Sequence, residues 1–427
     1  MTIKKETYNA YLKILQKELI LAFGCTEPIA IAYAASIARE IMGDMPDRIL
    51  VECSGNVIKN VKSVIVPATG GLKGIDAAAI IGAVGGHSEM GLEVLSKVKA
   101  EDVSMAQKML QEKICETKLL DTPAKLHIII HMWSKKHSTL VEIIHEHDNV
   151  VRVEKDGSIL VDVPYVLEEI NSSLDYKRLN IKDIIAFSDI VNISDVQQIL
   201  ERQIKYNSAI SIEGLTGKYG VAVGKTLLDQ WGNDVKVRAC AGAAAGSDAR
   251  MGGCELPVVI NCGSGNQGLT VSVPVITYMQ EYNKTMEELY RALCVSNLIA
   301  IHLKVNIGRL SAYCGVVSAG AAAGAGIMYM MGGREKEIEN VLTNALGNIS
   351  GIVCDGAKPS CAAKIASSVN AGLMGIYLAY EGHSFMPGDG IVKDEIEKTI
   401  QSVSKLARDG MRTTDKTILN IMVNSSI

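Results

Sequence analysis

The chain reads as an α+β protein: an N-terminal part with helices and an antiparallel meander, then a mainly helical C-terminal part with Gly/Ala-rich buried helices. Three observations carry that reading. Four β-rich runs crowd into residues 125–162 with turn residues between them, and the segments before them place apolar residues at helical spacing. Beyond about residue 175 the apolar stretches have helical length, and several lack a polar face, as helices inside a core do. The 427 residues suit two or three cores at roughly 100–200 residues per domain. A boundary is expected near 175, where Asn171-Ser172-Ser173 breaks the periodicity, giving domains 1–175 and 176–427.

The elements follow in order. Tyr8, Tyr11, Leu12, Leu15, Leu19 and Ile20 mark a first helix over 4–20, and Pro28 to Met42 a second. Between them, Gly24-Cys25-Thr26-Glu27-Pro28 makes a tight loop in which Thr26 is expected to cap the second helix and Pro28 to sit in its first turn. Cys25 is thereby left beside a helix N-terminus, a position that favours a thiolate. Residues 48–53 and 63–66 read as two short strands joined through Ser54-Gly55-Asn56. Thr69-Gly70-Gly71 opens an Ala/Gly-rich helix near 75–84, and another helix is expected over 102–116. The runs 125–133, 138–147, 149–154 and 158–162, with Asp148-Asn149 and Asp156-Gly157 at turns, form the meander. Amphipathic helices are expected near 181–205 and 285–304.

Composition narrows the partners. A net charge of -4 without any Lys/Arg-rich run offers no electrostatic footprint for nucleic acid or anionic lipid, so a small-molecule partner is expected. With 39 Gly against 3 Phe and 2 Trp, the interior must pack through small residues and backbone. The longest uncharged window, 311–333, is Ala, Gly and Ser and gains little from lipid, so a buried helix rather than a membrane span is expected. The apolar stretch around Leu19 to Phe23 is too short for a secretory signal, and ten cysteines without such a signal point to the reducing cytoplasm. A homodimer is the default assembly.

The cysteines differ in context. Cys53, Cys115, Cys240, Cys254, Cys262 and Cys294 lie in apolar or regular segments and read as small core hydrophobes. Cys314 precedes Gly315, and Cys354 and Cys361 enclose the loop Asp-Gly-Ala-Lys-Pro-Ser. Spacing alone leaves a metal site open: one thiol stands 40 residues upstream of a seven-residue step, unlike zinc ribbons or ferredoxins. On turns, Ser54, Asn56, Thr69, Gly70, Ser264 and Asn266 offer short polar groups and bare N–H groups suited to a substrate's carboxylate and amine. Arg250 is a carboxylate candidate through its bidentate guanidinium, and Lys358 could supply charge in the Cys354–Cys361 loop. Each has an ordinary reading beside this, as turn chemistry, an ion-pair partner or a solvated lysine.

The segments Phe23-Gly-Cys-Thr-Glu-Pro28, Ser54-Gly-Asn56, Ser247-Asp-Ala-Arg-Met-Gly-Gly253, Gly263-Ser-Gly-Asn-Gln-Gly268 and Cys354-Asp-Gly-Ala-Lys-Pro-Ser-Cys361 resemble the L-cysteine desulfidase family. That family is related to the α-chain of the bacterial iron–sulfur L-serine dehydratases, and many of its members carry only an uncharacterised-family label. The resemblance runs from about residue 5 to 425. It implies a lyase that converts L-cysteine to pyruvate, ammonia and sulfide, with L-serine as a second substrate. It further implies that Cys314, Cys354 and Cys361 hold a [4Fe-4S] cluster with one iron left open, and that Cys25 takes the Cα proton.

Two rival functions stay in view. Ser264-Gly-Asn-Gln-Gly268 is superficially like the carboxylate-binding loop of pyridoxal-phosphate dehydratases, although neither Lys218 nor Lys225 has the context of a Schiff-base lysine. A non-enzymatic iron–sulfur redox sensor would need a partner-binding module, and none is visible. Gly220-Val-Ala-Val-Gly224-Lys225-Thr226 is one residue short of a phosphate-binding loop and lacks a preceding parallel strand, which argues against nucleotide hydrolysis. His127, His131, His145 and His147 are expected on a solvated or half-buried sheet face.

Overall fold

A computed structural model describes residues 3–62, 64–167, 176–308 and 311–424. The architecture is α+β: a six-stranded sheet lies in the N-terminal part and helices make up the rest. The sheet order is Cys115–Leu119, Arg48–Cys53, His127–Trp133, Ser138–Ile144, Val150–Lys155, Ser158–Asp162. The last four strands are the expected meander, and Asp156 and Gly157 both take positive φ at its last turn. Alternation buries one face: Ile49, Val51, Cys53, Ile128, Ile130, Met132, Val141 and Ile143 meet the helices Thr26–Met42 and Gly74–Gly85.

Three local expectations are corrected. Ser54-Gly55-Asn56 does not turn between two strands; it starts the helix Gly55–Val61, and only Ile65 retains a bridge, to Lys73. Val57, Ile58 and Val61 recur at helical spacing, which the short window concealed. Ser63, the first residue of the expected strand, lies outside the described residues. The helix placed at 102–116 is Ala100–Gln111, and Cys115 belongs to a strand that pairs parallel with Arg48–Cys53. That strand is a mostly exposed edge, so no alternating apolar pattern announced it. At the second helix, Cys25 and not Thr26 occupies the N-cap position.

The boundary expected at Asn171-Ser172-Ser173 lies outside the described residues. Buried apolar side chains form two main clusters. One runs from Phe23 to Val153; the other joins the helices beyond Tyr176 to Tyr11, Ile14, Leu15 and Leu19 of the first helix, Lys5–Glu18, and its following residue. The segment expected at 181–205 is two helices, Ile181–Ile190 and Ile193–Gly214. The chain crosses between the clusters at both ends. Leu21–Ala22 pairs with Val258–Val259, and the last helix, Arg412–Asn424, returns to Gly55–Val61, where buried Lys59 meets Asp415 at 2.5 Å.

The Gly/Ala-rich helices pack at backbone distance. A Cβ on Gly320 would lie 2.4 Å from the Ser368 carbonyl, and one on Gly324 would lie 2.8 Å from that of Gly372. The two contacts advance together along both chains, so Gly315–Met330 and Cys361–Tyr380 run parallel with their N-termini side by side. Gly246 against Leu269 and Gly242 against Val273 show the opposite sense, so Val235–Met251 and Gly265–Glu281 run antiparallel. Every residue from Val316 to Met330 is buried, and among the described residues no helix is long and apolar enough to cross a membrane.

Candidate active site

Helix polarity decides where the chemistry gathers. The N-termini of Thr26–Met42, Gly55–Val61, Gly265–Glu281, Gly315–Met330 and Cys361–Tyr380 converge on one cavity of about 90 Å³. Its wall includes Thr26, Glu27, Asn56, Ser264, Asn266, Gln267, Cys314, Gly315 and Cys361 from those first turns. Free N–H groups and aligned peptide dipoles give such a wall a positive potential. Lys59, Arg250 and Lys304 line it too, and among the described residues the only carboxylate on it is Glu27.

Two packing features bring three thiols together. Tyr313 and Val353 form an antiparallel bridge, with Cys314 N–H donating to the Ile352 carbonyl at 3.1 Å and Cys354 N–H to that of Ala312 at 2.6 Å. The parallel helix pair then sets Cys361, in the first turn of its helix, beside Cys314 at the N-cap of the other. The Cys354–Cys361 loop is clamped on Gly55–Val61: Gly356 has φ +94°, and a Cβ there would lie 2.5 Å from the Lys59 carbonyl. Lys358 donates its backbone N–H to Cys361 Sγ at 3.4 Å and its Nζ to the Lys59 carbonyl at 3.3 Å.

Electrostatics separate the thiols. Cys354 accepts a hydrogen bond from Cys314, which with Lys59 and Lys304 outweighs burial and lowers its pKa below the ordinary thiol value. The same bond, together with burial, holds Cys314 well above its ordinary value. Burial pushes Cys361 up to about 11. Lys304, wholly enclosed, is lowered by burial. Cys25 was expected to favour a thiolate; burial instead raises it, despite the Arg250 and Lys358 charges, so in this state the thiol keeps its proton at neutral pH.

A [4Fe-4S] cluster is tested by the donor set. Among the described residues no three of His, Cys, Asp and Glu stand close enough to hold a single metal ion. A polynuclear cluster distributes its thiolates over different irons around a common space, and Cys314, Cys354 and Cys361 share one cavity wall. All ten cysteines are free, and the surrounding lysines and helix N-termini suit thiolates. The residues present fit the group.

The other expected site residues divide. Asn56, Arg250, Ser264 and Asn266 line the cavity with the three thiols. Cys25 lies just behind the wall, packed with Val64, Met251 and Cys361, and Lys358 stands over the loop. Ser54, Thr69 and Gly70 do not line it. The Ser54 hydroxyl donates to the Lys125 carbonyl, Thr69 closes its own turn on Val66 and Leu72, and Gly70 has an exposed positive φ. Thr26 donates to Glu27 and to the Gly263 carbonyl instead of capping.

Sequence reasoning missed Glu27, Lys59, Asn60, His147, Cys262, Gln267 and Lys304, all on the cavity wall. Signals existed for some of them. Asn60 is one helical turn from Asn56, and Lys304 is a lone charge ending an apolar run. Cys262 is the core residue expected of it, packed in the larger buried cluster, and lines the cavity as well. Of the other histidines expected on a sheet face, His131 is half-buried in its strand and meets Glu52, His127 is in the same strand but buried and meets Glu142, and His145 lies beyond the strand Ser138–Ile144 with a positive φ and meets the Val166 carbonyl. The look-alike phosphate loop is closed, because the buried Asp248 carboxylate already accepts the Gly224 N–H at 3.0 Å at the start of helix Val223–Trp231, and Lys225 pairs with Asp229.

Comparison with known proteins adds a second line. A family model described as serine dehydratase alpha chain matches residues 89–420. A UPF0597 protein of Lachnoclostridium phytofermentans is 53% identical, covering 98% of this chain and 100% of its own. UPF0597 proteins of Desulfitobacterium hafniense and Treponema denticola are 51% and 50% identical, over 98% and 99% of this chain and 97% and 100% of theirs.

Proposed function

This chain belongs to the serine dehydratase alpha chain family, and we propose that it is an iron–sulfur lyase that converts L-cysteine to pyruvate, ammonia and sulfide, with L-serine as a second substrate. The observation that carries the reading is the meeting of Cys314, Cys354 and Cys361 with the buried Arg250 on one cavity wall. Arg250 donates to the Gly24 carbonyl and to Asn266 Oδ1, and among the described residues it has no carboxylate in ion-pairing range. An uncompensated buried guanidinium is costly, and a substrate carboxylate supplies the missing charge.

Cys314, Cys354 and Cys361 would hold a [4Fe-4S] cluster. When bound, such a cluster supplies a Lewis-acidic iron that stabilises charge on the departing sulfide or hydroxide. The protein's part is to hold and orient. Arg250 and Asn266 fix the carboxylate, Ser264 and Asn56 offer polar groups from two helix N-termini, and Lys358 adds positive charge over the Cys361 loop. Cys25 removes the Cα proton. Burial raises its pKa, and the Arg250 and Lys358 charges are what act to stabilise the thiolate. The product enamine tautomerises and hydrolyses to pyruvate and ammonia.

The test is anaerobic reconstitution of the full chain with iron and sulfide, followed by absorption spectra and assays for pyruvate and sulfide from L-cysteine and L-serine. Cluster absorption with cluster-dependent pyruvate is the expected result. Pyruvate formation by cluster-free protein supplied with pyridoxal phosphate would overturn the reading.

A further inference from the structure

The cavity holds a second uncompensated charge. Glu27 is 8% exposed, and its two oxygens accept from the Asn60 amide nitrogen at 2.7 Å and the Thr26 hydroxyl at 3.0 Å. Among the described residues no cation pairs with it. The same cavity wall carries side-chain oxygens with no hydrogen-bond partner: Asn60 Oδ1, Gln267 Oε1 and Asn56 Oδ1. Asn60 and Gln267 are 6% and 4% exposed, so water does not easily satisfy them. The orientation of Asn60 is fixed by its carboxylate partner, because turning the amide over would set oxygen against oxygen. Gln267 reaches the wall because Gly315 has no side chain; a Cβ there would lie 2.6 Å from the amide carbon.

From this arrangement we infer that Glu27, with the side-chain oxygens of Asn60 and Gln267, is the subsite for the α-ammonium group of a zwitterionic amino acid whose carboxylate binds Arg250. Burying a carboxylate without a counter-charge and two amide oxygens without partners costs free energy, and one primary ammonium, with three donors and a positive charge, matches that set. Glu27 and Arg250 are not paired with each other, so the protein keeps two opposite charges apart on one cavity wall. A 2-amino acid carries the matching pair. The subsite therefore selects 2-amino acids over 2-hydroxy acids and simple carboxylates. It rests on the reading of the cavity as the lyase's substrate site, and it concerns binding rather than elimination.

Calorimetry on the full chain, cluster-free and reconstituted, tests it with ligands that lack a leaving group. L-alanine should bind, propionate should bind at least about tenfold more weakly, and Glu27→Gln should bring L-alanine down to the level of propionate while leaving propionate unchanged. Asn60→Leu should move L-alanine in the same direction, which keeps the test available if the Glu27 variant fails to fold. Arg250→Met should weaken both ligands. Unchanged L-alanine affinity in a folded Glu27→Gln or Asn60→Leu chain overturns the subsite, as does absence of L-alanine binding to either form of the wild type. If L-alanine binding and its Glu27 dependence hold while reconstituted protein makes no pyruvate, the lyase reading falls and the subsite stands.

Discussion

At the residue scale, the proposed division of labour makes the cysteines separable by experiment. Cys354→Ser should lose iron and turnover together. Cys25→Ser should keep the iron and lower turnover at least about a hundredfold, the low end of what a positioned proton-transfer group contributes. Iron content and pyruvate formation, measured on the same preparations, decide between them; iron loss in Cys25→Ser would make that thiol a ligand. Arg250→Lys keeps the charge but loses the planar fork that holds Gly24 and Asn266. Its kcat/KM for L-cysteine should fall by about 10- to 100-fold, with the iron–sulfur absorption intact.

At the element scale, the helix pair that sets Cys314 beside Cys361 depends on bare backbone. Gly320→Ala forces a methyl group to 2.4 Å from the Ser368 carbonyl, so one helix must shift. A loss of about 1–3 kcal/mol in urea unfolding is expected, with poorer iron retention because the two thiols move apart. The helix Val223–Trp231 shows a pH effect instead. Asp248 caps it from a buried position, and burial, outweighing the Gly224 and Val223 N–H groups, raises its carboxyl to about 6. The unfolded carboxyl ionises near 3.8, so the unfolded state releases its proton first and stability falls as pH rises from about 4 to about 6. Asp248→Asn keeps an oxygen acceptor and removes that loss. It should match the wild type near pH 4 and exceed it by on the order of 2 kcal/mol above pH 6, read from urea midpoints at several pH values.

At the scale of the whole molecule, the site lies where the two main buried clusters meet, and chain crossings at both ends hold them together. Asp415→Asn leaves the Lys59 ammonium, 2% exposed, without its counter-charge, and Lys59 also lines the cavity. Because Asp415 is partly exposed, a cost of about 2 kcal/mol is expected rather than the full penalty of a buried pair. Limited proteolysis should then release the C-terminal helix before the core opens, and the reconstituted variant should lose its cluster faster in air. Intact resistance of that helix to protease would show that the pair does not fasten it.

The sequence by itself determined the fold class, the meander, the helical C-terminal part and the family, because periodicity, turn residues and contiguous motifs are local properties. It also supplied the residues Asn56, Arg250, Ser264, Asn266, Cys314, Cys354 and Cys361 that share the cavity. It could not show that Ser54 and Thr69 engage backbone groups, since a hydroxyl on a turn looks the same whether it faces a carbonyl or a ligand. Nor could it find Asn60 while Ser54-Gly55-Asn56 passed for a turn, or weigh Cys25, whose pKa depends on burial as much as on its helix. Only the tertiary structure decided that five helix N-termini point at one space, and that Glu27 and Arg250 face it without pairing. Direction and burial are set by contacts between residues hundreds of positions apart, so no local pattern encodes them.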